Sequence, residues 1–197
     1  AVQADPQLAA GILDRLKADE SLYVRKSVAN HLNDVTKVHP EWVLDTIEGW
    51  SLENKHTAWI ARHALRSLIK QGDLRALTVI GAGAKAEVEL LDVRVEPAVV
   101  RLGEAITLSF VVKSTVAHEQ RLVIDYAIDY VKANGGVSRK VFKLKTVVLA
   151  GFGEVVVGRR QVIKDFTTRK HFLGRHGVRV LVNGEVLGSA AFEIVAD

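Results

Sequence analysis

Two stretches of this chain repeat each other 36 residues apart, and that offset constrains the fold more than any other feature. Tyr23–Leu32 (YVRKSVANHL) is matched by Trp59–Leu68 (WIARHALRSL). Aromatic pairs with aromatic, Val24 with Ile60, Lys26 with Arg62 and Leu32 with Leu68. The preceding segments repeat too, with Pro6 heading Gln7–Leu16 and Pro40 heading Glu41–Gly49. Proline suits the first turn of a helix, where its missing N–H costs nothing. Helix–turn–helix units at this period build α-solenoids, which stack, bury a shared core and expose one helix of each pair.

Apolar positions support helices through residue 80. Leu8, Ile12 and Leu16 form one stripe, Val24, Val28, Leu32 and Val35 a second, and Ile60, Ala64 and Leu68 a third. Tyr23 and Trp59, at matching positions, read as packing residues. Gly72-Asp73 ends one helix and caps a short final one. The small-residue run Gly81-Ala82-Gly83-Ala84 ends the helical signal, which places a domain boundary near residue 86.

Beyond it the apolar period changes from 3.6 to 2. Leu91-Val93-Val95, Ile106-Leu108-Phe110-Val112, Leu122-Ile124-Tyr126-Ile128-Tyr130, Phe142-Leu144-Thr146-Val148 and Val178-Val180-Val182 all alternate. Asn183-Gly184 is a two-residue hairpin signal. About seven short strands in this length read as an immunoglobulin-like β-sandwich without its cysteine pair. The expected architecture is therefore helical repeats over residues 1–85 and a sandwich over 86–197.

Composition narrows the function classes. With no Cys among 197 residues, disulfides, thiolate catalysis and cysteine metal sites are excluded. No apolar run spans a bilayer and no leader is evident, so a cytoplasmic location with no membrane partner is expected. The seven His residues lack ligand spacing, so no metal is expected. With no Met and a start at Ala1 just before a helix, the chain reads as a portion of a longer protein.

The net charge of +4 is modest, but its distribution is not. Arg121–His176 holds twelve Lys and Arg against four Asp and Glu, between acidic flanks. A local basic block is a footprint for a polyanion, although a solvated sheet face wears the same residues. Within the helices, Lys26, Asn30, Asn33 and Lys37 fall on one line, with Asp34 beside them. Arg62 and Arg66 occupy the positions matching Lys26 and Asn30, so stacked helices would set them side by side. Cations and amides on such a face can follow a phosphate backbone; a plain solvated helix face would look similar. In the sandwich, Lys132, Arg139 and Lys140 bracket one loop, and Thr167, Thr168, Arg169 and Lys170 form another basic patch.

The segment Asp19–Asp34, with its core Val-Arg-Lys-Ser-Val-Ala-Asn-His-Leu-Asn-Asp followed by Lys37 and Pro40, resembles the HEAT-like repeat signature of the AlkC-type DNA alkylation-repair glycosylases. Val131-Lys132-Ala133-Asn134-Gly135 and Val182-Asn183-Gly184 resemble the immunoglobulin-like domain that one branch of that family carries C-terminally. Where AlkD-type relatives carry Trp on the matching helix, this chain has Asn30, in agreement with the AlkC branch. The resemblance implies HEAT-like α-helical repeats followed by an immunoglobulin-like β-sandwich. It implies binding of alkylated duplex DNA and excision of cationic N-alkylated bases such as 3-methyladenine or 3-methylcytosine; a monomer without cofactor is expected. Such a base already carries positive charge, so its glycosidic bond is weak, and a carboxylate and a water suffice to stabilise the cationic sugar. Asp34 is the candidate carboxylate. Lys26, Asn30, Asn33, Lys37, Arg62 and Arg66 are candidate groove contacts, and Lys132, Arg139, Lys140, Arg169 and Lys170 candidate sandwich contacts. The family is about twice this length, with further repeats before the signature. The alternative is a non-catalytic helical-repeat and sandwich module that binds DNA or a protein.

Overall fold

The structure is a computed structural model that describes residues 5–83, 85–165 and 170–196. It divides into two compact units, Ala1–Ala84 and Lys85–Asp197.

The first unit holds α1 (Gln7–Leu16), α2 (Leu22–Val35), α3 (Pro40–Glu48), α4 (Lys55–Ala64), α5 (Arg66–Gln71) and α6 (Leu74–Val79). Side chains set several helix ends. The Asp5 carboxylate accepts from Gln7 N–H at 3.1 Å. Asn54 accepts from His56 and Thr57 N–H at the start of α4, and Asp73 from Ala76 N–H at the start of α6. Each such cap satisfies a donor that the helix leaves unpaired, worth about 1 kcal/mol. Gly72, at φ 80°, closes α5 in the left-handed conformation that glycine adopts without a Cβ penalty. Leu32, Val43, Leu44, Ile47, Ile60 and Leu77 are fully buried. At about 1.5–3 kcal/mol for each large apolar side chain, they are the main stabilising term. Exposed Arg75 ties α6 to α3, donating to Glu41, Asp45 and Glu48.

The second unit holds β1 (Val88–Glu96), β2 (Val99–Val100), β3 (Ala105–Ser114), β4 (Gln120–Val131), β5 (Val137–Leu149), β6 (Glu154–Val162), β7 (Gly174–Val182) and β8 (Glu185–Ile194). One sheet runs β1-β3-β6 and the other β2-β8-β7-β4-β5. Ile106, Leu108, Phe110 and Val112 from β3 meet Leu122, Ile124, Tyr126 and Ile128 from β4 in one core. At the β7–β8 turn both Asn183 and Gly184 have positive φ, as the Asn-Gly pair requires. Gln120, almost fully buried, ties β4 to β3 and to Glu87 just before β1. Its Nε2 donates to the Glu87 carbonyl and to Ser114 Oγ, and its Oε1 accepts from Glu87 N–H.

The expected run of HEAT-like repeats followed by an immunoglobulin-like sandwich is corrected by the element content. The described residues are 29% helix and 40% strand, with six helices and two sheets. This is a mostly-sheet chain rather than a solenoid with an appendage. The sequence match is real for α2 and α4, but regular repeats need more than one matched pair. α5 and α6 are six residues each, and the α4 helix breaks at Leu65. The stripe read on α1 does not pack: Leu8 and Ile12 are 65% and 62% exposed, while Leu13 is the buried residue. Tyr23, paired by sequence with Trp59, is 81% exposed and is not a packing residue.

Two strands depart from simple alternation for one reason. A register shift in β1 between Leu91 and Arg94 turns Leu90 and Val93 toward the core, in place of Leu91. A second shift, opposite Ile124 and Asp125, lets Phe142, Leu144 and Val147 of β5 pack inward while Thr146 and Val148 stay exposed. An extra residue at a bulge inverts the facing of the residues after it.

Asp129 on β4 braces the five-stranded sheet. Its Oδ1 accepts from Arg139 Nε of β5 at 2.6 Å, and its Oδ2 from Arg179 Nε of β7 at 2.8 Å. The hydrogen bond from Arg139, then that from Arg179, holds its pKa below the ordinary value. A depressed carboxylate contributes stability above its unfolded pKa and loses it as pH falls through the folded one. Asp129→Asn is therefore expected to cost about 1–3 kcal/mol near neutral pH. It should also flatten the loss of stability below about pH 4, as read by urea melts across pH. Gly151→Ala is expected to cost a further ~1–3 kcal/mol by the same melts, because a Cβ there would lie 1.8 Å from the Ala117 carbonyl oxygen.

Candidate nucleic-acid interface

The line read on α2 divides once the helix is packed. Lys26, Asn30, Asp34 and Lys37 are exposed, whereas Asn33 is 4% exposed. Asn33 Nδ2 donates to the Ala64 carbonyl at 2.8 Å and to Ser67 Oγ at 3.0 Å. It is a structural amide that ties α2 to the end of α4, not a groove contact. Asn33 lies at the edge of the line nearest buried Ala29, where Ala64 and Ser67 pack against it.

The repeat does bring its two matched positions together. Arg66 Nη2 donates to Asn30 Oδ1 at 3.1 Å, and Arg66 Nη1 to the His63 carbonyl. Arg62 is exposed one turn earlier on α4 and rims a shallow pocket of about 80 Å³ with Leu52, Ala58, Ala61, Val79 and Ile80. Asp34 is paired with Lys37 at 2.7 Å. The Lys37 hydrogen bond and charge hold the Asp34 carboxyl below its usual range, with a smaller contribution from Arg66. At neutral pH it is an anion, able to face a positive charge and unable to donate a proton. The face thus carries Lys26, Lys37, Arg62 and Arg66 as cations, the Asn30 amide, and one carboxylate that Lys37 pairs.

Arg25 is absent from the sequence-derived candidates, and it organises the base of this face. Its Nη1 donates to the Asp19 and Glu20 carbonyls and meets His56 Nδ1. Its guanidinium lies 5.6 Å from the Trp59 ring centre, and Trp59 stacks on His63 at 3.7 Å. One side chain thereby joins the α1–α2 loop to α4. The available signal was a charged residue set between the apolar stripe at Val24 and Val28 and the exposed line that starts at Lys26.

In the second unit the candidate contacts separate. Lys132 is exposed beside the β4–β5 turn, and Lys170 is exposed before β7. Arg139 is engaged by Asp129 and is a sheet brace first. Lys140 stands over Phe142, 5.4 Å from the ring centre. Arg169 lies outside the described residues, as do Thr167 and Thr168. Both ring nitrogens of His176 are used internally, Nδ1 accepting from Val131 N–H and Nε2 donating to the Phe172 carbonyl. Burial pushes its pKa down and keeps it neutral. Among the described residues no group of three His, Asp or Glu is arranged to hold a metal ion. No helix among them is long and apolar enough to cross a membrane.

Comparison with known proteins gives these surfaces a context. The chain is 67% identical to the Pseudomonas fluorescens alkylpurine DNA glycosylase AlkC, solved bound to DNA containing an abasic site analog. That match has a TM-score of 0.96 and covers 99% of this chain and 54% of that one. It is also 41% identical over 194 residues to the uncharacterized protein YhaZ of Bacillus subtilis (strain 168), covering 98% of this chain and 54% of that protein. The chain thus spans about half the length of the relatives it matches. Residues 89–196, more than half of the chain, match the family described as "Uncharacterised protein YhaZ, C-terminal Ig-like domain", and the chain belongs to that family.

Proposed function

We propose that this chain acts in DNA alkylation repair, as the part of an N-glycosylase that binds alkylated duplex DNA and excises a cationic N-alkylated base such as 3-methyladenine or 3-methylcytosine. The observation that carries this reading is the 67% identity, over 99% of the chain, to a protein named an alkylpurine DNA glycosylase and solved with DNA. The exposed face of α2 and α4 supports it chemically. Lys26, Arg62 and Arg66 supply phosphate partners, and the Asn30 amide, oriented by Arg66, supplies a donor for phosphate, sugar or base edge.

The reaction asks little of a protein acid. An alkylated base leaves as a neutral molecule, so the electron pair of the glycosidic bond goes to the base without a proton. The charge that develops is positive, on the sugar. A fixed carboxylate stabilises such a charge, and water then adds to the sugar carbon and gives up one proton to solvent. Asp34, ionised and held by Lys37, has the right protonation state for that role. The chain works without a cofactor in this scheme.

A second reading is favoured by the span of the chain. It covers 54% of the glycosylase it matches, so the remaining portion of such a protein could hold the chemistry while these residues hold the DNA. Base release from methylated duplex, measured by chromatography, separates the two readings. Release, lost in Asp34→Asn, supports catalysis within these residues; salt-sensitive binding without release supports a DNA-holding portion. In either case, Arg62→Ala with Arg66→Ala is expected to weaken duplex binding and to lower the slope of log K against log salt by about 1.8. Anisotropy titrations of a labelled duplex check this, and an unchanged slope would remove the α2–α4 face from the proposal.

A further inference from the structure

Two side-chain ties hold α2 against α4, and they differ in chemistry. At the C-terminal half Asn33 donates to the Ala64 carbonyl and to Ser67 Oγ, and nothing in that tie titrates near neutral pH. At the N-terminal half the tie is Arg25 with His56, and one of its members does. Arg25 Nη1 donates to the Glu20 carbonyl at 2.8 Å and to the Asp19 carbonyl at 3.0 Å, and it meets His56 Nδ1. The same His56 Nδ1 lies 3.1 Å from the Asp19 carbonyl. One carbonyl oxygen thus stands within hydrogen-bond reach of both partners, and one ring nitrogen within reach of both a donor and an acceptor.

The protonation state of the ring decides which pair forms. A neutral imidazole with its proton on Nε2 presents a lone pair at Nδ1, which accepts from Arg25. An imidazolium carries a proton on both nitrogens. Its Nδ1–H then faces the Arg25 donor with no acceptor between them, and the Asp19 carbonyl is the acceptor left within reach. The two cations also repel at that separation. Arg25 has little to fall back on, since its Nε is buried with no hydrogen-bond partner among the described residues. Around the ring, Asp19 and Glu20 come from the α1–α2 loop, Arg25 from α2, and Glu53, Lys55 and His63 from the chain on either side of it. The Asp19 carboxylate is turned to Ser21 N–H at 2.7 Å, and Lys17 just after α1 is paired with Asp14.

We propose that Arg25 and His56 form a proton-sensitive positioning pair that sets how the first half of α2 rests on α4. With the ring neutral, Arg25 holds the α1–α2 loop and lies 5.6 Å from the Trp59 ring centre, next to exposed Lys26 on the same helix. With the ring protonated, His56 takes the Asp19 carbonyl and Arg25 is released, while Asn33 keeps the second half of α2 in place. The proton comes from solvent and returns to it, and no covalent bond between heavy atoms changes. Histidine is the side chain suited to such an exchange between about pH 5 and 8. The pair regulates the α2–α4 face, and that consequence rests on the DNA-repair reading; the exchange of partners does not. Arg25 acts through the placement of Lys26 and Trp59 rather than as a ligand contact of its own.

The test follows amide hydrogen exchange of the full 197-residue chain at about pH 5.5 and about pH 7.5, with each rate corrected for the intrinsic pH dependence of exchange. Wild type is expected to lose protection on acidification in peptides from residues 17–26 and 55–60 and to keep it in those from 33–37 and 64–68. His56→Gln offers Arg25 an amide oxygen that does not titrate, and it is expected to abolish that loss. His63→Gln changes the neighbouring histidine and is expected to retain it. A loss in His56→Gln equal to wild type, or a loss spread evenly over both ends of α2, would overturn the pair. Anisotropy titrations of a duplex carrying an abasic-site analogue, near neutral pH and at several salt concentrations, read the consequence. Arg25→Gln is expected to weaken binding about fivefold with the salt slope unchanged. A slope lowered by about 0.9 would make Arg25 a phosphate contact and overturn its positioning role, as would wild-type affinity in that variant. No salt-sensitive binding by a wild-type chain that still shows the pH-dependent exchange would overturn the DNA-repair reading alone.

Discussion

The second unit depends on β4. It is hydrogen-bonded to β5 on one side and β7 on the other, and nine of its twelve residues are buried. Its inward side chains fill the core with those of β3, so the facing of every neighbouring strand is measured against it. The consequences reach the surface. Because Ile124 and Ile128 point inward, Lys145 and Lys140 opposite them stand at the core rim. Because Asp129 is the outward residue between Arg139 and Arg179, those two cations are spent within the sheet. One strand thus sorts the basic block into structural and available charge.

The first unit uses a similar division of labour on a smaller scale. Buried Asn33 and partly buried Arg25 fix α2 against α4 and the α1–α2 loop with side-chain-to-carbonyl bonds. Their neighbours on the same helix, Lys26 and Asn30, are left exposed. The polar groups with the best geometry are internal, and the groups free to meet a partner lie close to them along the same helix. Asn30 is the exception that spans both roles, being exposed and yet oriented by Arg66 from the matching position of the repeat.

Much of this was legible in the sequence, and the failures have a common physical origin. The change of period near residue 86 separated helices from strands because burial on one face leaves that trace in any amphipathic element. The adjacency of Asn30 and Arg66 followed from the repeat. What did not follow were features set by the partner rather than by the segment itself. The bulges in β1 and β5 are invisible to alternation, since they arise from how one strand pairs with another. Asn33 looked like its exposed neighbours until α4 placed a carbonyl beside it. Leu8 and Ile12 formed a correct helical stripe on α1, but nothing in a stripe says whether a neighbour covers it. A matched pair of helices was likewise extended to a regular array that the short α5 and α6 do not continue. Asp129 and Arg179, fifty positions apart, meet only through strand order.

The central claim is that the exposed face of α2 with α4 holds duplex DNA. Hydrogen–deuterium exchange of the whole chain with and without a duplex carrying an abasic-site analogue tests it directly. The account predicts slower exchange on DNA binding in peptides from residues 22–35 and 55–71. Bound DNA that slows exchange in neither of these segments would contradict it.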